Sequence, residues 1–328
     1  MQAVPKPQPT PQAAPASRMK LAAVVSGRIA KPVRVLVWGT EGIGKSTFGA
    51  NAPSPIFLGA EDGTSELDVA RFPEPANWQD AFDAVAELTN AQHEYKTLVI
   101  DTLDWLEPMC WAHVCATSKP DRTGKRPDSI EAFGYGKGYS AALDEWRRLL
   151  SLIERLRNVR GMHVVLLAHG WVKGFKNPDG ADYDRYELKL HPKAGGLLKE
   201  WCDAVLFANY ETLTHEDNGR TKGIATGARV IHTQRRAAWD AKNRYDLPET
   251  LPLDWHAFYD AVLAHRPADP AKLKATIAEL LERADDETRV RVVAALAKVG
   301  DDSAQLARIA DKLTFTVSQS NPAQETSS

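Results

Sequence analysis

Nine residues constrain this chain more than any others. GTEGIGKST, at 39–47, completes the pattern G-x4-G-K-[ST] with Gly39, Gly44, Lys45 and Ser46. It follows the apolar run VRVLVWG (33–39) and precedes a helix-compatible stretch, the setting in which such a loop wraps its backbone N–H groups around phosphates. The glycines permit the wrap, the helix that follows contributes the positive end of its dipole, and Lys45 brings a full charge to the β- and γ-phosphates. The Ser46 hydroxyl is the expected ligand of a Mg²⁺ ion accompanying the triphosphate. The expected nucleotide-binding residues are thus Gly39, Thr40, Glu41, Gly42, Ile43, Gly44, Lys45, Ser46 and Thr47.

Such a loop needs a sheet behind it. The apolar runs PIFLGAE (55–61), KTLVID (96–101), MHVVLLAHG (162–170), CDAVLFANYE (202–211) and ARVIHTQ (228–234) are interleaved with WQDAFDAVAEL (78–88) and YSAALDEWRRLLSLIERLRNV (139–159), which repeat apolar residues at three and four. This pattern predicts an α/β fold with a mostly parallel central sheet flanked by helices. Leu-Pro punctuation at 247–252 closes the main domain. After a helix near 253–265, Pro-Ala-Asp-Pro at 267–270 reads as a linker to three helices near 270–283, 286–299 and 302–313, with Gly300 as a stop. The expected division is a disordered leader (1–20), a core (31–252), a C-terminal helical region (253–314) and a disordered tail (315–328).

A net charge of −2 over 328 residues provides no global basic field, so any contact with nucleic acid must come from local patches. Cys110, Cys115 and Cys202 show neither a CxxC pair nor zinc spacing, which fits a reducing compartment. No run approaches the roughly 18 apolar residues of a membrane span, and the N-terminus lacks the layout of a secretory signal. A cytoplasmic location is expected.

A Mg²⁺-triphosphate site also needs a carboxylate at the end of a neighbouring strand, and Leu98-Val99-Ile100-Asp101 provides one. Thr102 follows instead of a second acid, so the base that activates water must come from elsewhere. Glu61, at the end of PIFLGAE, would share the carboxyl edge of the sheet. Asp62, Asp104 and Glu107 are rivals, and Glu61 could simply cap a turn.

The order of these parts resembles the RecA-like ATPase core: a phosphate loop, a glutamate ending the second strand, a lone Asp ending the third, a polar residue ending the fourth, and a basic AKNR after a late strand. More closely, the chain resembles the phage-encoded nucleotide-binding proteins of that group that act as single-strand annealing proteins or minimal recombinases. The likeness covers about 31–252. It implies ATP and Mg²⁺ as ligands, Glu61 as the base, and His169 in LLAHG as the group that senses the γ-phosphate, where Gln or Asn is commoner. It also implies that Lys242 and Arg244 in WDAKNRYDLP reach a neighbouring subunit's γ-phosphate, so that hydrolysis requires a ring or filament. As a solvated basic turn they need no such role.

Two stretches correspond to the DNA-facing loops of that group, at 117–138 and 170–196. The first carries Lys119, Arg122, Lys125, Arg126, Phe133, Tyr135 and Lys137, the second Trp171, Lys173, Phe175 and Lys176. Cations neutralise phosphates and flat rings stack on bases of any sequence. The expectation is a Mg²⁺-dependent, DNA-stimulated ATPase that binds single-stranded DNA and promotes annealing or strand exchange. Its expected partners are further copies of itself and a single-strand binding protein. A helicase-like motor or loader, a small-molecule phosphotransferase, and a binding module with vestigial hydrolysis are the alternatives.

Overall fold

The computed structural model describes Met19, Leu21, Val24 and residues 31–61, 63–217, 220–265 and 270–320. The expected leader otherwise lies outside the described residues, as does the chain beyond 320. Two compact units are present, Ala30–Arg266 and a C-terminal one from Pro267.

The first unit is built on the strands β1 (Arg34–Gly39), β2 (Pro55–Gly59), β3 (Ala70–Arg71), β4 (Thr97–Asp101), β5 (His163–Phe175), β6 (Tyr183–Leu188), β7 (Ala204–Asp217), β8 (Arg220–His232), β9 (Lys242–Asn243) and β10 (Thr250–Pro252). They pair in the order β10-β8-β7-β1-β5-β4-β2-β3, with β6 on β5 and β9 on β7. The run from β7 to β3 is parallel, and β8 is antiparallel to both β7 and β10. The strand bearing His169 therefore lies between the phosphate-loop strand and the Asp101 strand.

Alternation along the strands feeds two cores. Leu36 and Trp38 of β1 and Val164, Leu166 and Ala168 of β5 join the cluster beneath α2 (Trp78–Asn90), α3 (Leu103–Thr117), α4 (Lys137–Arg160) and α5 (Pro192–Trp201). Val35, Val37, Val165 and Leu167 face the other way, with Phe48 of α1 (Lys45–Ala50) and with Trp255, Phe258 and Val262 of α6 (Trp255–His265). A sheet buried on both faces requires this near-continuous apolar character. The helix at 255–265, grouped by sequence with the C-terminal region, thus packs into the first unit.

The stretch 170–196, expected as a loop, is ordered structure. β5 runs on past His169 to Phe175 and pairs antiparallel with β6, with Trp171 opposite Glu187 and Lys173 opposite Arg185, and α5 follows. Polar residues hid this hairpin, because a strand pair held by cross-strand contacts needs no apolar run.

The second unit contains α7 (Pro270–Glu282), α8 (Asp286–Val299) and α9 (Ser303–Ser320), packed around Ile277, Val292, Leu306, Leu313 and Val317. Residues 315–320 continue α9 and do not begin a tail, since Val317 extends the buried stripe Leu306, Ala310, Leu313 at helical spacing.

Candidate nucleotide site

The phosphate loop leaves β1 at Gly39, where a Cβ would lie 2.1 Å from the Ala208 carbonyl oxygen, and enters α1 through Gly44 at φ 107°, a left-handed conformation that favours glycine. Lys45 is buried, and its Nζ donates to the carbonyls of Thr40 at 2.9 Å and Gly39 at 3.5 Å. Burial lowers the pKa of Lys45, against the opposing pull of Asp101, Asp104, Glu61 and Glu41.

Asp101 closes β4 and is 4% exposed. Burial raises its pKa, opposed by a hydrogen bond from Ser46 and the charge of Lys45. Its Oδ2 is buried and accepts no hydrogen bond. A buried carboxylate oxygen without a donor, beside a serine hydroxyl, is a hard-oxygen donor set that suits Mg²⁺. Among the described residues no group of three His, Cys, Asp or Glu side chains is arranged to hold a metal, so water and phosphate oxygens would fill the rest of such an ion's shell.

Glu61, His169 and Asp104 form a line at the same edge. His169 stands opposite Gly39 in the β1–β5 register. Its backbone N–H donates to Asp104 Oδ1 at 2.9 Å, its Nδ1 meets Asp104 Oδ2 at 2.9 Å, and its Nε2 is 4.0 Å from Glu61 Oε2. Burial pushes the Asp104 carboxyl up, yet the His169 hydrogen bonds outweigh it and leave the pKa below its ordinary value. An ionised Asp104 can only accept, so Nδ1 carries the proton and Nε2 is turned to Glu61. Glu61 itself is 35% exposed along its side chain.

A family model described as AAA domain matches residues 31–245. The chain belongs to that family. Its mostly parallel sheet with flanking helices, described above, is the α/β fold of a P-loop nucleoside triphosphatase. Among solved structures, the crystal structure of the RadB recombinase superposes with a TM-score of 0.37 at 12% identity, over 70% of this chain and 91% of that one. No curated protein matches the sequence.

Of the rival acids, Asp62 lies outside the described residues. In this AAA domain Asp104 is committed to His169, and Glu107 is 4% exposed and accepts the His191 backbone N–H at 3.0 and 3.2 Å. Burial raises the Glu107 pKa from 4.5 to about 7, with the His191 hydrogen bond opposing and Asp104 adding to the shift. Between those values the folded chain retains a proton that the unfolded chain releases, so this group's contribution to stability falls as pH rises through the window. Urea unfolding at pH 5 and pH 7 is expected to show that Glu107→Gln lacks this loss, so the variant gains on the wild type toward pH 7.

The two cations expected to act in trans are used within the chain. Lys242 Nζ donates to the carbonyls of Lys199, Glu200 and Cys202 at 2.9, 2.8 and 2.7 Å, closing the C-terminus of α5. Arg244 reaches Asp203 Oδ1 at 3.2 Å, within a cluster that includes Arg34 and Arg157. β9 pairs with the start of β7, at the sheet edge opposite the phosphate loop. This corrects the reading of Lys242 as a finger: a lysine that satisfies three helix-end carbonyls is not free for a neighbour.

Two residues at the loop had no signal in the sequence. Arg229 on β8 places Nη1 3.0 Å from where a Gly44 Cβ would stand, within reach of a ligand held by the loop. Lys189, just after β6, pairs with Glu41 at 3.7 Å and donates its backbone N–H to the His169 carbonyl at 2.9 Å.

The cation-rich stretches also sort themselves. Lys119, Arg122, Lys125, Arg126, Tyr135 and Lys137 are exposed, whereas Phe133 is half-buried against the core and is an anchor, not a free stacking ring. Trp171 and Lys173 are exposed, Phe175 packs 5.3 Å from Tyr183, and Lys176 is tied to Asp182 at 2.5 Å. Tyr139 stacks on His191 at 3.9 Å and Lys193 Nζ donates to Ser140 Oγ at 2.9 Å, so the ends of both stretches meet where α4 and α5 begin.

Proposed function

We propose that this chain is an ATP-dependent single-stranded DNA binding protein that self-associates into a ring or filament and promotes annealing or strand exchange. The observation that carries the reading is the course of β5. One strand holds His169 between Glu61 and Asp104 and then continues through Trp171 and Lys173 into an exposed hairpin, whose return reaches the phosphate loop through Lys189 and Glu41. A rigid element with one end at the phosphates and the other at cations and rings can relay the state of one site to the other.

In this reading Lys45 and the loop amides position the triphosphate, and Ser46 with Asp101 hold Mg²⁺. The bound magnesium nucleotide supplies an electrophilic phosphoryl group with its charge partly neutralised. Glu61 accepts a proton from the attacking water, and His169, held by Asp104, turns the Nε2 lone pair toward Glu61, where it can accept a hydrogen bond from the carboxyl once that proton has arrived. Lys173 and the exposed cations of 117–138 neutralise strand phosphates, and Trp171 offers a stacking face. Among the described residues no helix is long and apolar enough to cross a membrane. A cytoplasmic site of action and cooperation with a single-strand binding protein belong to the same proposal.

Turnover measured with and without single-stranded DNA, alongside light scattering, tests it. DNA-stimulated turnover with ATP-dependent assemblies is the expected result. Turnover indifferent to DNA from a particle that stays monomeric would sink the reading and favour a phosphotransferase.

A further inference from the structure

Between the β5–β6 hairpin and α5 lies a cavity of about 190 Å³, with Trp38, Trp171, Arg185, Tyr186, Lys199 and Asp240 in its walls. It is several times the roughly 30 Å³ of a water and below the roughly 300 Å³ at which drug-sized sites begin, so it suits one planar ring. Two of the wall residues are buried donors lacking acceptors. Arg185 is 7% exposed, its Nε donates to nothing, and among the described residues its guanidinium forms no ion pair, lying instead 4.9 Å from the Phe175 ring. Trp38 is 1% exposed and its Nε1 is likewise without an acceptor. Buried donors without acceptors are unfavourable, so an acceptor brought to the Arg185 guanidinium would relieve part of that cost, whereas Trp38 Nε1, like those of Trp78 and Trp146, is sealed in the packing.

The charge balance narrows the class of ligand. Lys199 is neutralised by Asp240 at 2.5 Å and Glu187 offsets one of the two remaining cations, Lys173 and Arg185, so the walls keep a single net positive charge, fewer cations than a phosphate cage gathers. Trp171 is 48% exposed and adds a flat face, with Lys173 Nζ 5.9 Å from its ring centroid. We propose that the cavity receives one nucleobase of a bound single strand, stacked on Trp171 with its acceptor edge turned to Arg185. The inference rests on the strand-binding reading above and gives it a defined base subsite. It also gives the strand a route to the nucleotide: Trp38 immediately precedes Gly39, and its ring packs so closely on Gly170 that a Cβ there would lie 3.0 Å from Cε3.

Fluorescence anisotropy with a labelled oligothymidylate and an abasic strand of equal length provides the test. The full-length wild type is expected to bind the base-bearing strand about tenfold more tightly, and Trp171→Ala and Arg185→Met to lose that preference while still binding both strands. Trp171 is exposed, so its variant remains informative if Arg185→Met fails to fold. Equal affinity of the wild type for the two strands, or a preference that survives in Trp171→Ala, would overturn the base subsite and leave strand binding standing. Failure to bind either strand would remove the strand-binding reading as well.

Discussion

Glu61→Gln is expected to lower ATP turnover by about a hundredfold or more while nucleotide affinity stays within a few-fold of wild type. General bases contribute on the order of 10² to 10⁴ in rate, and the amide keeps the shape of the side chain while removing its basicity. The position tolerates the change, because Glu61 is partly exposed and buried Lys45, which feels its charge, keeps Asp101, Asp104 and Glu41 as opposing charges. Lys45, Ser46 and Asp101, which would hold the nucleotide and metal, are untouched. Steady-state phosphate release with a fluorescent-nucleotide titration separates the two quantities. Unchanged turnover would move the base elsewhere, whereas turnover and affinity falling together would mean that Glu61 binds rather than activates.

Trp146→Ala is expected to remove about 3–5 kcal/mol from the stability of the first unit, the usual range for deleting a buried aromatic side chain. Trp146 is 1% exposed on α4, and its ring meets Trp78 edge-on with centroids 4.9 Å apart, so the truncation opens a cavity between α2 and α4. Its Nε1 has no acceptor in the fold, so no hydrogen bond is lost and the cost is one of packing. Trp146→Phe should recover much of the loss. Urea unfolding followed by circular dichroism measures both, and a loss below about 1 kcal/mol would show that the helical layer repacks freely.

Much of the nucleotide edge was legible from the chain. A phosphate loop is read locally, because the groups that bind phosphate are consecutive backbone amides and the side chains beside them. The Asp101 strand was legible because a strand buried on both faces must be apolar to its end, where the first acid stands out. His169 was legible as the polar residue at which the apolar run of its strand stops, although β5 itself continues to Phe175, and its pairing with Asp104 was not legible, since the two are joined only when β5 packs beside α3.

The hairpin was misread for a different reason. Glu187 and Arg185 give β6 the composition of a loop, and what makes it a strand is pairing with Trp171 and Lys173. Lys242 was misjudged similarly, since three carbonyls at the end of α5 decide its direction and none is near it in sequence.

By itself, the sequence determined the phosphate loop, the alternation of buried strands with amphipathic helices, and the acids available at the strand ends. Each of these depends on neighbours along the chain or on a short period. Only the tertiary structure decided which acid faces His169, that Lys189 and Arg229 stand at the loop, and that Trp38 and Arg185 share a cavity. Those relations depend on strand order and register, which bring together side chains far apart in sequence.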